Sequence, residues 1–243
     1  MPAHENPKSQ IKSRQRVADH GEVFTNPREV NAMLDLVRYE SFRLDSRFLE
    51  PACGDGNFLI EILRRKLSLL QDLKSPTDWE FQSLIAVGSC YGIDILPDNA
   101  EACRTRLEEY VLSQHPASER LNARSADNTI QAKRSVVSQP TPCSVVEESP
   151  YHLSLRYMLR KNIVCGDALT YRTAEDKPIV FCEWTPIAGS MQFSRRDFQF
   201  DFLVTQSHQY SLFDEQGEAQ SFDEPVHTYP PLHYTQLYRY DTL

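Results

Sequence analysis

The sequence predicts an α/β protein with a doubly wound parallel sheet. Short apolar segments that suit buried strands alternate with longer segments whose apolar residues recur at helical spacing. A small glycine-bearing turn at residues 52–57 joins the first strand segment to the helix segment after it. A helix between two strands carries the chain back to the end of the sheet where the first strand began, so the two strands pair in parallel. Both observations therefore favour this fold class.

Length and composition fit one soluble domain. The 243 residues can form one sizeable core, and 40% hydrophobic with 25% charged residues is ordinary for a globular protein. The net charge of −8 does not suit a chain that binds nucleic acid through overall positive charge. No apolar run approaches the roughly 18 residues of a membrane helix, and residues 1–16 are too polar for a signal peptide. We therefore expect a cytoplasmic protein without a membrane contact.

The cysteines and histidines do not predict a metal centre. The six cysteines are far apart and form no Cys-x-x-Cys pair, and the seven histidines show no metal-ligand spacing. Several cysteines lie in apolar segments, which favours reduced, buried thiols in a cytoplasmic protein. The six are Cys53, Cys90, Cys103, Cys143, Cys165 and Cys182.

The first half of the chain predicts an N-terminal helical segment and two strand–helix units. Thr25 or Asn26 suits the N-cap of a helix that has Pro27 at its first position. Apolar residues at helical spacing extend this helix, and a further helix follows each short strand. The predicted order is a flexible arm at residues 1–13, a helix at 27–38, a strand at 48–50, a helix at 57–73, a loop with Pro76, a strand within 83–95 and a helix at 97–112.

The second half predicts an insertion, two further strands and a hairpin. Residues 113–150 are rich in Ser, Gln, Asn, Thr and Pro and lose their apolar period, which is typical of a long loop. A helix near 118–134 is one option within it. The predicted order is then a helix at 151–159, a strand at 162–167, a hairpin that turns at 188–189, a fourth main strand at 200–205 and an irregular tail from about 206. We expect a single domain at residues 14–243 whose sheet is incomplete at its C-terminal end.

Carboxylates stand at the predicted ends of three strands. Glu50, Asp94 and Asp167 follow successive strands, and ligands of a parallel sheet bind beyond those ends. Gly54 allows a ligand to approach the backbone closely, whereas the charge of Asp55 argues against a diphosphate there. An acidic loop suits an amino group or a sulfonium, a second carboxylate suits ribose hydroxyls, and a third suits an adenine amino group. Together they favour S-adenosylmethionine over a nicotinamide dinucleotide.

Taken singly, each of these residues also has a structural interpretation. A carboxylate at a strand end is more often a helix cap than a ligand, and Gly-x-Gly turns are common. Phe24 and Ile95 are of a type that fills a core. The order and spacing of the carboxylates on successive strands make the combination more specific than its parts.

Two longer segments resemble a known family. His20–Met33 and Glu50–Phe58 resemble class I S-adenosylmethionine-dependent methyltransferases, in particular the adenine-N6 DNA methyltransferases of restriction–modification systems. The resemblance extends over about residues 14–112 and 161–205. It implies a Rossmann-like methyltransferase sheet with an N-terminal helical segment. It also implies a cofactor site formed by Phe24, Thr25, Glu50, Ala52, Gly54, Asp55, Asp94, Ile95 and Asp167.

The catalytic loop of the resembled family is degenerate in this sequence. In those enzymes the fourth strand ends in Asn/Asp-Pro-Pro-Tyr/Phe, which holds the target adenine after it has left the duplex. The corresponding residues here are Gln206-Ser207-His208-Gln209, followed by Tyr210. By the resemblance, Gln206 is the best available acceptor for a hydrogen bond from the adenine amine, and Tyr210, or His208 in its place, is the aromatic residue that would stack on the ring. Both stiffening prolines are missing, so we expect weak activity or none.

Three functions therefore remain open. The first is DNA adenine-N6 methylation with a separate protein subunit for target recognition, because little sequence follows Thr205. The second is a non-catalytic protein that binds S-adenosylmethionine as a sensor or assembly subunit. The third, methylation of RNA or protein, is disfavoured because His20–Met33 and the glycine loop resemble the DNA enzymes. The basic residues within 1–16 suit an approach to nucleic acid, whereas the acidic residues within 206–243 oppose it.

Overall fold

The computed structural model describes residues 15, 16, 18, 25–116, 148–201 and 225–242. Within them, helices pack with two three-stranded sheets. Numbered in chain order, the helices are α1 (Pro27–Leu36), α2 (Arg38–Ser41), α3 (Asn57–Leu67), α4 (Pro76–Gly88), α5 (Pro97–Ser113) and α6 (Pro150–Asn162). The strands are β1 (Phe48–Glu50), β2 (Cys90–Asp94), β3 (Ile163–Cys165), β4 (Val180–Ile187), β5 (Gln192–Gln199) and β6 (His227–His233). Short 3₁₀ helices cover Ser68–Leu70 and Tyr234–Thr242.

The first sheet is parallel and has the strand order β1-β2-β3. Leu49 is paired with Tyr91, and Ile93 is paired with Val164. The prediction of an α/β fold with parallel strands is therefore confirmed. The order follows the chain, so no reversal of strand order is seen within the described residues.

The N-terminal helical segment begins as its sequence predicts. The side chain of Asn26 accepts a hydrogen bond from the backbone N–H of Arg28 at 2.9 Å, and Pro27 takes the first helical position. This cap satisfies a donor that has no partner inside the helix. Helix α1 ends at Leu36, two residues before the predicted end.

Helix α4 replaces a predicted loop and part of a predicted strand. Ser75 caps it by accepting from the N–H of Asp78 at 3.3 Å, and Pro76 is its first residue. The run Leu84–Val87 belongs to this helix, and the second strand is only Cys90–Asp94. The prediction was wrong because a short run that is apolar throughout has no period that separates a strand from a buried helix.

The second sheet is antiparallel and has the order β4-β5-β6. The predicted hairpin is present, with Gly189 at φ +74° in the turn between β4 and β5. Strand β5 stays paired with β4 up to Gln199, and the N–H of Phe200 still donates to the carbonyl of Ile179 at 2.8 Å. The prediction of a main strand that begins at Phe200 is therefore wrong for Phe200 and Asp201, which are helical.

The C-terminal segment is regular from His227, in contrast to the predicted irregular tail. Strand β6 lies at the edge of the second sheet and contains Pro230 and Pro231. Proline lacks an N–H, and an edge strand with a shift of register tolerates that loss; such a shift lies opposite, between Phe193 and Arg195. The prolines also hide the alternation that would have predicted this strand.

One large core joins both sheets and their helices. Leu59 of α3, Leu107 of α5, Leu155 of α6, Phe193 of β5 and Leu237 of the last 3₁₀ helix are all completely buried in it. The C-terminal segment is therefore part of the same packed unit as the parallel sheet. Among the described residues, no helix has both the length and the apolar character needed to cross a membrane.

Several predictions concern residues outside those described. They are the arm at residues 1–13, the helix near 118–134, most of the insertion at 113–150, residues 202–205 of the fourth main strand and residues 206–224 of the irregular tail. Helix α5 ends at Ser113, close to the predicted end at residue 112.

Candidate functional site

A cavity of about 610 Å³ lies at the carboxyl ends of the three parallel strands. Most of its wall is formed by residues 50–54 at the end of β1, 94–96 at the end of β2 and 166–169 after β3. Pockets for small molecules usually measure about 300 to 1,000 Å³, so this cavity is large enough for a nucleoside derivative. Its place at the strand ends is where parallel sheets bind ligands.

The cavity brings together most of the residues that the sequence predicts for a cofactor site. Those that line it are Thr25, Glu50, Ala52, Gly54, Asp94, Ile95 and Asp167. Asp55 does not line it. Phe24 and the predicted catalytic residues Gln206 and Tyr210 lie outside the described residues.

The glycine loop is held against the end of β2 by backbone hydrogen bonds. The N–H of Cys53 donates to the carbonyl of Ile93, and the N–H of Gly54 donates to the Asp94 carboxylate, both at 2.8 Å. Gly54 has φ +53° and Gly56 has φ +92°, conformations that other residues adopt with strain. The loop thus depends on its glycines for shape, and that shape brings its backbone to the cavity wall.

Asp94 is buried, with 8% of its surface exposed, and its carboxylate is well supplied with donors. Gly54 N–H donates to Oδ2, while Leu96 N–H and the Asn99 side chain donate to Oδ1 at 2.9 and 3.2 Å. Donors of this kind stabilise a buried negative charge, which would otherwise be costly. Asp94 is therefore a fixed carboxylate that lines the cavity.

Glu50 and Asp167 are bound less tightly. The Ala52 N–H donates to Glu50 Oε1 at 3.3 Å, and burial raises the pKa of Glu50 above its ordinary value. The Leu169 N–H donates to Asp167 Oδ1 at 2.8 Å. Gly166 beside it has no room for a side chain, because a Cβ would lie 2.8 Å from the Arg172 carbonyl oxygen. Both carboxylates keep acceptor capacity for a ligand.

Asp55 is directed to helix α5 and not to the cavity. Its Oδ2 lies 2.6 Å from an Arg106 nitrogen, and Arg106 also donates to the Asp55 carbonyl and to Asn57 Oδ1. Arg106 thereby neutralises the charge of Asp55 and holds the glycine loop against helix α5. The resemblance implied that Asp55 surrounds the cationic part of the ligand; the structure does not bring it there.

The charged side chains among the described lining residues of the cavity are all acidic. Three carboxylates line it, those of Glu50, Asp94 and Asp167, and none of the described lining residues is Lys, Arg or His. Such a site attracts a cation or a ligand rich in N–H and O–H donors, and it opposes phosphate groups. Among the described lining residues, this electrostatic character disfavours a diphosphate-bearing nucleotide.

Two exposed large apolar side chains, Ile95 and Leu169, also line the cavity. Ile95 is 58% exposed and Leu169 is 89% exposed, although both are hydrophobic. A ligand with a flat apolar ring would remove their surface from water, which is favourable. Sequence reasoning missed Leu169, as well as Asn57 and Asn99, whose inward direction depends on the phase of their helices. The only sequence signal for Leu169 is an apolar residue in the polar turn after Asp167.

Comparisons of the chain with protein-family models, with curated proteins and with solved structures give no match.

Proposed function

We propose that the cavity binds S-adenosylmethionine and that the protein is related in function to the adenine-N6 DNA methyltransferases. One observation carries the proposal: carboxylates after three successive parallel strands meet in a single cavity without a described basic residue. S-adenosylmethionine presents a sulfonium, an ammonium, ribose hydroxyls and an adenine amino group. All of these are cationic or can donate hydrogen bonds to carboxylates.

In this proposal, each part of the cofactor would contact a different set of residues in the cavity wall. The methionine end lies along the glycine loop near Glu50, the ribose lies at Asp94, and the adenine lies between Ile95 and Asp167. When bound, the cofactor supplies an electrophilic methyl group. We further propose that the parallel sheet is one half of a Rossmann-like methyltransferase sheet and that the protein is cytoplasmic, in keeping with its free cysteines among the described residues.

The proposed methyl acceptor is the exocyclic amine of an adenine in DNA, with a separate subunit for target recognition. An adenine amine is a weak nucleophile, because its lone pair is delocalised into the ring. Gln206 would accept a hydrogen bond from this amine and Tyr210 would stack on the ring. This part of the proposal rests on the resemblance alone, since both residues lie outside the described residues.

A second candidate is a sensor or assembly subunit that binds the cofactor without transferring its methyl group. The sequence Gln206–Gln209 favours it, because Gln-Ser-His-Gln lacks the prolines that stiffen the family's catalytic loop. A misplacement of about 1 Å can lower a rate by about a hundredfold. Both candidates use the same cavity.

Calorimetric titration with S-adenosylmethionine tests the cavity. We expect binding by the unchanged protein and at least about tenfold weaker binding by Asp94→Ala, which loses a charged acceptor. Glu101→Ala is the matched control, because Glu101 is an exposed carboxylate on the same helix as Asn99 and forms its ion pair with Arg104 away from the cavity. ATP should not bind. Equal binding of S-adenosylmethionine by Asp94→Ala would contradict the proposed site.

A transfer assay separates the two candidates. Protein and S-adenosylmethionine with a labelled methyl group are incubated with adenine-containing DNA, with and without the products of neighbouring genes. Label in DNA that disappears in Gln206→Ala and Tyr210→Ala supports the enzyme. Cofactor binding without any transfer supports the sensor.

A further inference from the structure

The hydrogen bonds of Asp94 leave little of its carboxylate free for a ligand. Gly54 N–H donates to Oδ2 at 2.8 Å, and Oδ1 accepts both from Leu96 N–H at 2.9 Å and from Asn99 Nδ2 at 3.2 Å. An ionised carboxylate has about four acceptor sites, two on each oxygen. Oδ1 is therefore fully used, and Oδ2 keeps one site.

The Asn99 donor is fixed in direction by its other partner. Arg16 donates to Asn99 Oδ1 at 3.2 Å, and a guanidinium has only donors, so the amide oxygen must face Arg16. The amide nitrogen must then face Asp94. Arg16 is itself held by Asp98, which accepts from its two terminal nitrogens at 2.9 and 3.2 Å. Asn99 is also buried, with 1% of its surface exposed.

The other two donors are equally restricted. Gly54 N–H belongs to the glycine loop, which is also anchored through Cys53 N–H, and Leu96 N–H lies at the start of α5. Neither can rotate as a hydroxyl would. If a ligand displaced either one, a partly buried N–H would lose its partner, which is costly.

We propose that Asp94 accepts a hydrogen bond from only one ribose hydroxyl of the bound cofactor, and that Asn99 is the positioning residue that imposes this limit. The inference rests on the proposed binding of S-adenosylmethionine and narrows it. A carboxylate with both oxygens open would accept from the 2′- and 3′-hydroxyls alike. Here the second hydroxyl finds no acceptor on Asp94.

The test compares S-adenosylmethionine with its 2′-deoxy and 3′-deoxy forms by calorimetry, using the unchanged protein. One deoxy form should bind at least about tenfold more weakly, since it loses a hydrogen bond to a charged group, and the other should bind within about threefold. If both forms bind about tenfold more weakly, or neither does, the inference is wrong.

The variant Asn99→Ala tests the role of Asn99. This variant removes one donor and frees an acceptor site on Asp94 Oδ1, so the second hydroxyl gains a hydrogen-bond partner. The difference in affinity between the 2′-deoxy and 3′-deoxy forms should therefore become smaller. Glu101→Ala is the matched control, because Glu101 lies on the same helix as Asn99 but is exposed and paired with Arg104 away from the cavity. This control variant should show the same difference in affinity between the two deoxy forms as the unchanged protein. If the two deoxy forms differ in affinity for Asn99→Ala as much as for the unchanged protein, Asn99 is not the positioning residue.

The outcomes distinguish this inference from the proposed function. If S-adenosylmethionine does not bind the unchanged protein, the proposed function fails and the inference fails with it. If it binds and both deoxy forms weaken alike, only the inference fails. The comparison in the unchanged protein decides the matter even if Asn99→Ala does not fold, which circular dichroism reports.

Discussion

At the scale of single residues, the carboxylates of the cavity differ in how many hydrogen-bond donors they already have. Three donors already stabilise the charge of Asp94, whereas Glu50 has one donor, the Ala52 N–H at 3.3 Å. Burial raises the pKa of Glu50, so its negative charge is costly until a cation arrives. A cationic ligand would therefore stabilise the charge of Glu50.

The first prediction concerns pH. As the pH falls through the raised pKa of Glu50, the carboxylate takes up a proton and loses its attraction for a cation, so the affinity for S-adenosylmethionine should fall. Calorimetry at a series of pH values below neutral measures this. Glu50→Gln, which has no charge to lose, should bind more weakly at neutral pH and show a flatter profile. An identical pH profile in Glu50→Gln would contradict the role of Glu50.

Residues at strand ends were predictable, and residues on helices were not. The end of a strand fixes where Glu50, Asp94 and Asp167 lie, because parallel strands share one edge. The partner of Asp55 in the glycine loop is Arg106, which lies 51 residues later on helix α5. Whether Arg106 turns toward the glycine loop depends on the rotation of α5, which packing sets and the local sequence does not.

At the scale of elements, the glycine loop shows how backbone shape and packing act together. Gly56 has φ +92°, and a Cβ there would lie 2.8 Å from Cys103 Sγ of α5. Gly189 in the hairpin turn has φ +74°, but a Cβ there would meet nothing within 4 Å. The two glycines therefore share a backbone requirement and differ in the space around them.

The second prediction uses this difference. Gly189→Ala should lower the free energy of unfolding by about 1 to 2 kcal/mol, the cost of a left-handed conformation. Gly56→Ala should lower it by about 2 to 5 kcal/mol, because overpacking adds to that cost, and should also weaken cofactor binding. Urea unfolding and calorimetry measure the two effects. Equal losses of stability would show that contact with Cys103 is unimportant.

Elements with a clear period or cap were predicted, and those without one were missed. Helix α1 and the β4–β5 hairpin carried such signals, whereas the apolar run Leu84–Val87 did not. Strand β6 was hidden by Pro230 and Pro231, since prolines normally argue against a strand. Tertiary packing decided these segments, and a single sequence does not display it.

At the scale of the whole molecule, the C-terminal segment and the parallel sheet depend on one core. Buried Arg195 of β5 donates to Asp197, and its guanidinium lies 4.2 Å from the Tyr229 ring centroid of β6 and 5.6 Å from that of Tyr240. Leu237 of the last 3₁₀ helix is completely buried beside α6, where its N–H donates to Ser154 at 3.2 Å. The segment therefore supports the fold that carries the cavity.

The third prediction follows from that dependence. Leu237→Ala should lower the free energy of unfolding by about 2 to 5 kcal/mol, because it leaves a cavity in the shared core. Val226→Ala is the control, since Val226 is 59% exposed and should change stability by less than about 0.5 kcal/mol. Urea unfolding measures both. A Leu237→Ala protein as stable as the control would mean that the segment does not support the core.

The structure of the protein crystallised with S-adenosylmethionine tests the central claim most directly. We predict density for the cofactor along the cavity, with its methionine end at the glycine loop, a ribose hydroxyl at Asp94 and the adenine between Ile95 and Asp167. An empty cavity at saturating cofactor, or cofactor bound elsewhere on the protein, would contradict the claim.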